Sequence, residues 1–137
     1  MNKLIFTAAV AALACATSAC SKKDMTPGEV AKTFLTDFAT DNVDDATARL
    51  MPPLKAQFLA KPDVTKSAFA EQRLRIEKCG GYKEITSFFD VRPEQTGVEG
   101  YSYVEYKGQC PAEKQYLRLK KSDTSWLIEE VGPRVKP

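Results

Sequence analysis

The chain has 137 residues, of which 43% are apolar, enough to fill one core and too few for two full domains. Its 20 Lys and Arg stand against 18 Asp and Glu, so a net charge of +2 supplies no strong field for nucleic acid or for an acidic partner. The sequence contains no histidine, which excludes every triad, general base and zinc site that depends on imidazole.

Residues 1–3 give a short positive start, and residues 4–14 (LIFTAAVAALA) form an uncharged apolar run followed by small residues, the layout of a signal peptide. A spanning helix needs roughly 20 apolar residues, and Lys22 and Lys23 end the uncharged stretch before that length is reached. The run Thr17-Ser18-Ala19-Cys20 resembles the lipobox of bacterial lipoproteins, in which small residues precede a cysteine that is diacylated and becomes the new N-terminus. A second match, Ala12-Leu13-Ala14-Cys15, truncates the apolar segment, so Cys20 is the expected lipidation site. Cleavage after Ala19 without lipidation gives the same extracytoplasmic address. The expected organisation is a lipoprotein signal peptide over 1–19, a lipidated tether over 20–25 and a single α+β domain over 26–137. Ser21, not aspartate, follows the cysteine, and the resemblance then implies an outer-membrane lipid anchor facing the periplasm. The stretch from Ser21 to Met25 spans at most about 17 Å, which holds the domain close to the bilayer, with Lys22 and Lys23 against headgroups.

With Cys15 removed and Cys20 lipidated, Cys79 and Cys110 remain in a compartment that oxidises thiols. An even pair points to one disulfide, the alternative being two separate thiols. Cys79 runs into Gly80-Gly81 and Cys110 sits in the loop Gly108-Gln109-Cys110-Pro111, so both lie near element ends. There is no Cys-x-x-Cys pair for redox catalysis.

Thr26-Pro27-Gly28-Glu29 has the form of a capping box with proline at the first helical position. The helix it opens runs to Thr40, with Val30, Ala31, Phe34, Leu35 and Phe38 on the core side and Lys32, Thr33, Thr36 and Asp37 on the other. Asp41-Asn42 offers a turn and a new cap for a short helix carrying Val43, Ala46, Leu50 and Met51, stopped by Pro52-Pro53. Leu54, Phe58 and Leu59 continue as a further turn or two. The stretch 63–78 reads as another helix with Val64, Ala68, Phe69 and Ile76 inward, ended by Gly80-Gly81.

From Tyr82 the period changes from 3.6 to 2, and β-branched and aromatic residues become enriched. Four strands are expected, over 82–91, 98–107, 115–121 and 125–131. Short connections between consecutive strands favour an antiparallel meander, and helices followed by strands favour an α+β domain.

The helix start Thr-Pro-Gly-Glu-Val-Ala, its continuation Phe-Leu-Thr-Asp-Phe-Ala, the second helix Asp-Asn-Val-Asp-Asp-Ala and the closing Ser-Trp-Leu-Ile-Glu strand together resemble lumazine-binding-like lipoprotein domains of unknown function, within the nuclear transport factor 2-like superfamily. The resemblance covers about residues 26–131. It implies N-terminal helices packed on a curved antiparallel four-stranded sheet, a cystatin-like cone with an apolar pocket. By the family pattern Val104, Leu117, Leu119, Trp126 and Ile128 face that pocket, the alternative being that they simply fill the core.

Enzymes of this fold need a buried carboxylate opposite a second acid or tyrosine. Asp90, near a strand end, reads as a solvated turn carboxylate with no second acid beside it. Asp44-Asp45 and Glu129-Glu130 lack metal-ligand spacing, and no metal or cofactor is implied. Arg118, Lys120 and Lys121 form a small basic cluster read as an exposed strand face, and an exported address conflicts with a nucleic-acid role. Tyr101, Tyr103 and Tyr116 fall opposite Val104 and Leu117, giving an aromatic outer sheet face suited to a homodimer or an envelope protein. The expected function is a non-enzymatic, membrane-anchored binding module for a small apolar ligand or an envelope partner. An isomerase- or hydrolase-like enzyme using the pocket is the alternative.

Overall fold

The computed structural model describes residues 24–135. The stretch 1–19 expected as a signal peptide, including Cys15, and Cys20, Lys22 and Lys23 of the expected tether lie outside the described residues. Four helices precede four strands: α1 (Pro27–Ala39), α2 (Val43–Ala48), α3 (Pro52–Ala60), α4 (Pro62–Lys78), β1 (Tyr82–Phe89), β2 (Gly97–Tyr106), β3 (Glu113–Ser122) and β4 (Ser125–Val135). No described helix is long and apolar enough to cross a membrane.

The capping box at α1 forms as the sequence dictates. The Glu29 amide donates to Thr26 Oγ1 at 3.3 Å, and the Thr26 amide donates to the Glu29 carboxylate at 2.8 Å. Val30, Ala31, Phe34 and Leu35 then form the buried stripe, and α1 packs across β1, β2 and β4. Asp37, expected on the outer face, is instead 8% exposed. It is drawn inward by Arg49, whose Nε lies 3.7 Å from its carboxylate.

The prolines start helices here. Pro52-Pro53 occupies the first turn of α3 and Pro62 that of α4, where the missing N–H costs nothing. The α2–α3 link is tied to the sheet: the Met51 amide donates to the Ile128 carbonyl and the Ile128 amide to the Arg49 carbonyl, both at 2.8 Å. At the far end of α4 the Gly80 amide donates to the Glu77 carbonyl and the Gly81 amide to the Ile76 carbonyl, both at 2.9 Å. With Gly80 at φ +82°, this is a Schellman cap that only glycine closes without strain.

The sheet is a meander in the order β1-β2-β3-β4, antiparallel throughout. Its inner face carries Ile85, Val98, Val104, Leu117, Leu119, Trp126 and Ile128, all buried against the helices. Cys79 and Cys110 are joined in a disulfide, Cα to Cα 5.4 Å, which fastens the end of α4 to the β2–β3 loop.

Candidate functional site

The five residues expected to line a pocket, Val104, Leu117, Leu119, Trp126 and Ile128, face inward but form the packed centre. The α1 stripe of Val30, Phe34 and Leu35 shares one buried cluster with them and fills that part of the cone. Leu117 and Trp126 each touch a smaller hollow elsewhere, and none of the five reaches the apolar cavity beside α3 and α4. That cavity, of about 510 Å³, opens between α3–α4 and the sheet at β3 and β4, within the ~300–1,000 Å³ range of small-molecule sites.

Its apolar wall is Phe38 at the end of α1, Phe58 of α3, Phe69 and Ala68 of α4, and Val131 of β4. Phe38 stacks on Phe69 with centroids 4.2 Å apart and meets Phe34 edge-on at 4.8 Å, so two rings on different helices fix this surface. Val64 and Ala68, expected to point into the core, are exposed at the cavity's rim; Val64 is 62% exposed. α4 covers a hollow there and needs only Phe69 and Ile76 as full core contacts.

The polar wall is Gln57, Thr65, Gln72, Arg75 and Gln115. Thr65 donates its hydroxyl to the Phe58 carbonyl. Gln115, buried on the inner sheet face, donates to the Tyr116 carbonyl at 3.2 Å and to the Gly132 carbonyl. Arg75 sits at the edge, where its guanidinium donates to Tyr106 Oη at 3.2 Å and pairs with Glu113, while Tyr106 donates to the same Glu113 oxygen at 2.9 Å. Burial works against the Arg75 charge, but the Tyr106 hydroxyl and the Glu113 carboxylate outweigh it and raise the guanidinium above its ordinary value. Sequence reading missed this cluster, because its members come from α4, β2 and β3 and have no common spacing.

The remaining candidates lie elsewhere. Asp90 is exposed just beyond β1, and Asp44 and Asp45 are exposed on α2. Arg118 is neutralised, not part of a basic patch: it pairs with Glu99, Glu129 and Glu130, and Glu130 foremost raises its guanidinium. Among the described residues no cluster of three or more Asp, Glu or Cys could hold a metal ion. On the outer sheet face Phe88 stacks on Tyr101 at 5.0 Å and Tyr101 tilts toward Tyr116 at 5.9 Å, an aromatic row across β1, β2 and β3. Lys114 Nζ caps it, 4.7 Å from the Tyr101 ring. Phe88 is 50% and Tyr116 43% exposed.

Helices leading into a curved four-stranded meander find a counterpart among solved structures. A Campylobacter jejuni protein named as an NTF2-like transpeptidase superposes with a TM-score of 0.61 at 17% identity, over 74% of this chain and 94% of that one. The chain has the NTF2-like fold. No protein-family model matches it, and no curated protein matches it in sequence. At 17% identity the NTF2-like likeness describes the backbone and leaves the chemistry of the cavity to its own residues.

Proposed function

We propose that the chain is an exported lipoprotein, anchored through Cys20 in the outer membrane and facing the periplasm, whose NTF2-like domain is a non-enzymatic binding module for a small apolar ligand. The observation that carries the reading is the cavity of about 510 Å³. Its wall combines Phe38, Phe58, Phe69 and Val131 with Arg75 as its one ionisable side chain. Such a surface binds better than it catalyses. Transpeptidation, the activity in the neighbour's name, needs an activated nucleophile. The one wall hydroxyl, on Thr65, is given to a carbonyl, and Cys79 and Cys110 are bonded to each other. The anchor is supported by the lipobox-like run 17–20 and by α1 opening at Pro27, a few residues beyond it.

The test of binding is titration with the neutral fluorescent probe N-phenyl-1-naphthylamine. Wild type binds it, and Ala68→Trp, which fills the cavity from its rim, weakens binding at least tenfold without lowering the melting temperature. Unchanged binding in Ala68→Trp refutes the site. Metabolic labelling with a palmitate analogue marks the wild type, and Cys20→Ala abolishes the label and releases the domain. A label that persists in Cys20→Ala and is lost in Cys15→Ala moves the anchor.

The aromatic row of Phe88, Tyr101 and Tyr116 supports a second use of the domain, association with another copy or with an envelope protein through the outer sheet face. Tyr101→Glu then lowers the sedimenting mass or the cross-linked yield.

A further inference from the structure

The wall chemistry restricts the occupant more narrowly than volume does. Between the apolar surfaces of Phe38, Phe69 and Val131 the polar groups Gln57, Gln72 and Gln115 are uncharged amides. The one charge, on Arg75, is answered by Glu113, which also accepts from Tyr106. A carboxylate entering beside Arg75 meets Glu113, and an ammonium entering beside Glu113 meets Arg75. Neither ion gains enough Coulomb energy there to offset its lost hydration.

Gln72 supplies the second observation. Its Oε1 is buried with no hydrogen-bond partner, although the side chain lies in the cavity wall and is only half-buried. The terminal amide torsion is broad; when a turn about it presents this acceptor to the cavity that Gln72 lines, an entering O–H or N–H satisfies it. Gln115 already donates to two backbone carbonyls.

We infer that the cavity takes an uncharged amphipathic molecule, its chain or ring covering Phe38, Phe69 and Val131 and its hydroxyl or amide N–H donating to Gln72 Oε1. The inference rests on the binding-module reading and narrows it to a ligand class. Fatty acids and cationic amphiphiles are the classes it rejects.

The test uses the full chain carrying Cys20→Ala, loaded with N-phenyl-1-naphthylamine and challenged with four competitors built on an unbranched ten-carbon chain: 1-decanol, its methyl ether 1-methoxydecane, decanoate and decylammonium. Decanol is expected to displace the probe at a concentration at least about tenfold below each of the others. Partition out of water alone favours the ether over the alcohol, so this order cannot arise from hydrophobicity. Gln72→Leu, with its melting temperature unchanged, brings decanol and methoxydecane within about twofold of each other. Decanoate or decylammonium binding best overturns the inference, and so does an alcohol-to-ether ratio untouched by Gln72→Leu. Failure of the probe and of all four competitors to bind overturns the binding module itself, and the inference with it. Binding in the wrong order overturns the inference alone.

Discussion

Breaking the Cys79–Cys110 bond tests how the two halves of the fold are held together. The bridge joins positions 31 apart in sequence. In the chain-entropy model, closing a loop of that length in the unfolded ensemble corresponds to about 3.7 kcal/mol at 25 °C. For a domain of this size that loss lowers the melting temperature by roughly 10–15 °C. Two perturbations separate the covalent link from the packing of the sulfurs. Reduction of the wild type leaves both side chains in place, and the double substitution Cys79→Ala, Cys110→Ala removes them, exposing a small gap beside Cys79, which is 7% exposed. Calorimetry should therefore show a drop of that size on reduction and a somewhat larger one in the double variant. Unfolded, unreduced protein should show no titratable thiol from this pair. A reduced protein melting within about 3 °C of the oxidised one would refute the argument. So would two free thiols at these positions.

Gly80→Ala and Gly81→Ala share a backbone problem, φ near +82° and +84°, but differ in space. A Cβ on Gly80 falls 2.8 Å from the Gly108 amide nitrogen, whereas one on Gly81 meets nothing within 4 Å. Urea melts should give roughly 1–2 kcal/mol for Gly81→Ala and clearly more for Gly80→Ala; equal costs would refute the reasoning. Burial raises the Asp37 carboxyl above its ordinary 3.8, against Arg49 and with help from Asp45. The folded state therefore binds this proton more tightly than the unfolded chain, and its contribution to stability falls as pH climbs from 3.8 through the higher folded value. Asp37→Asn removes that fall, so wild-type stability minus variant stability should decrease with rising pH across this window; a constant or rising difference would count against it. Val104→Asp puts an unpaired charge at a position with 0% exposure, costs several kcal/mol and should abolish the cooperative transition. Asp90→Asn, at an exposed site, should leave both melting and probe binding as they are.

Local rules carried the fold, and they failed where a side chain answers to a distant partner. The capping box at Thr26 and Glu29, the stripe Val30–Phe34–Leu35 and the glycine pair after Cys79 are each decided within a few residues, and each formed as written. The strand half was legible because β-branched and aromatic residues alternate around Val104 and Leu117. Pro52-Pro53 misled because proline fixes φ and lacks a donor in a stop and in a first turn alike; only the chain beyond distinguishes them. Asp37 reads as a surface position until Arg49 is known to lie beside it. The Arg75–Glu113 pair joins residues 38 apart, a distance no periodicity reports. Of the two readings open for Val104, Leu117, Leu119, Trp126 and Ile128, pocket lining and core filling, the buried cluster matches core filling. Alternation says which side of a strand faces the helices, but whether that side is filled depends on where each helix sits, and α1 sits on it.

The same placement explains why an open space survives beside a packed core. α1 lies on the sheet with Phe34 and Leu35 fully buried, whereas α3 has no buried residue and α4 packs mainly on α1, with lighter packing on α3 and α2. The α3–α4 hairpin is fixed at its two ends, at the Met51–Ile128 hydrogen bond where α3 begins and at the disulfide and Arg75–Glu113 pair where α4 finishes. Between those anchors the helices bridge the sheet. Collapse onto Val131 and Gln115 would pull Arg75 away from Glu113 and Tyr106, and losing that charge-assisted network offsets the extra apolar burial. Close packing is the rule for interiors, and this cavity escapes it because polar interactions hold its walls apart. Glu113→Gln, which keeps a hydrogen-bond acceptor and removes the charge, therefore acts on the cavity as well as on stability: Arg75 loses its ionic partner at the cavity edge while the disulfide still holds the helix end, and N-phenyl-1-naphthylamine affinity should fall several-fold even in protein that remains folded. Affinity equal to wild type in a folded Glu113→Gln protein would show that the cavity owes its shape to packing alone.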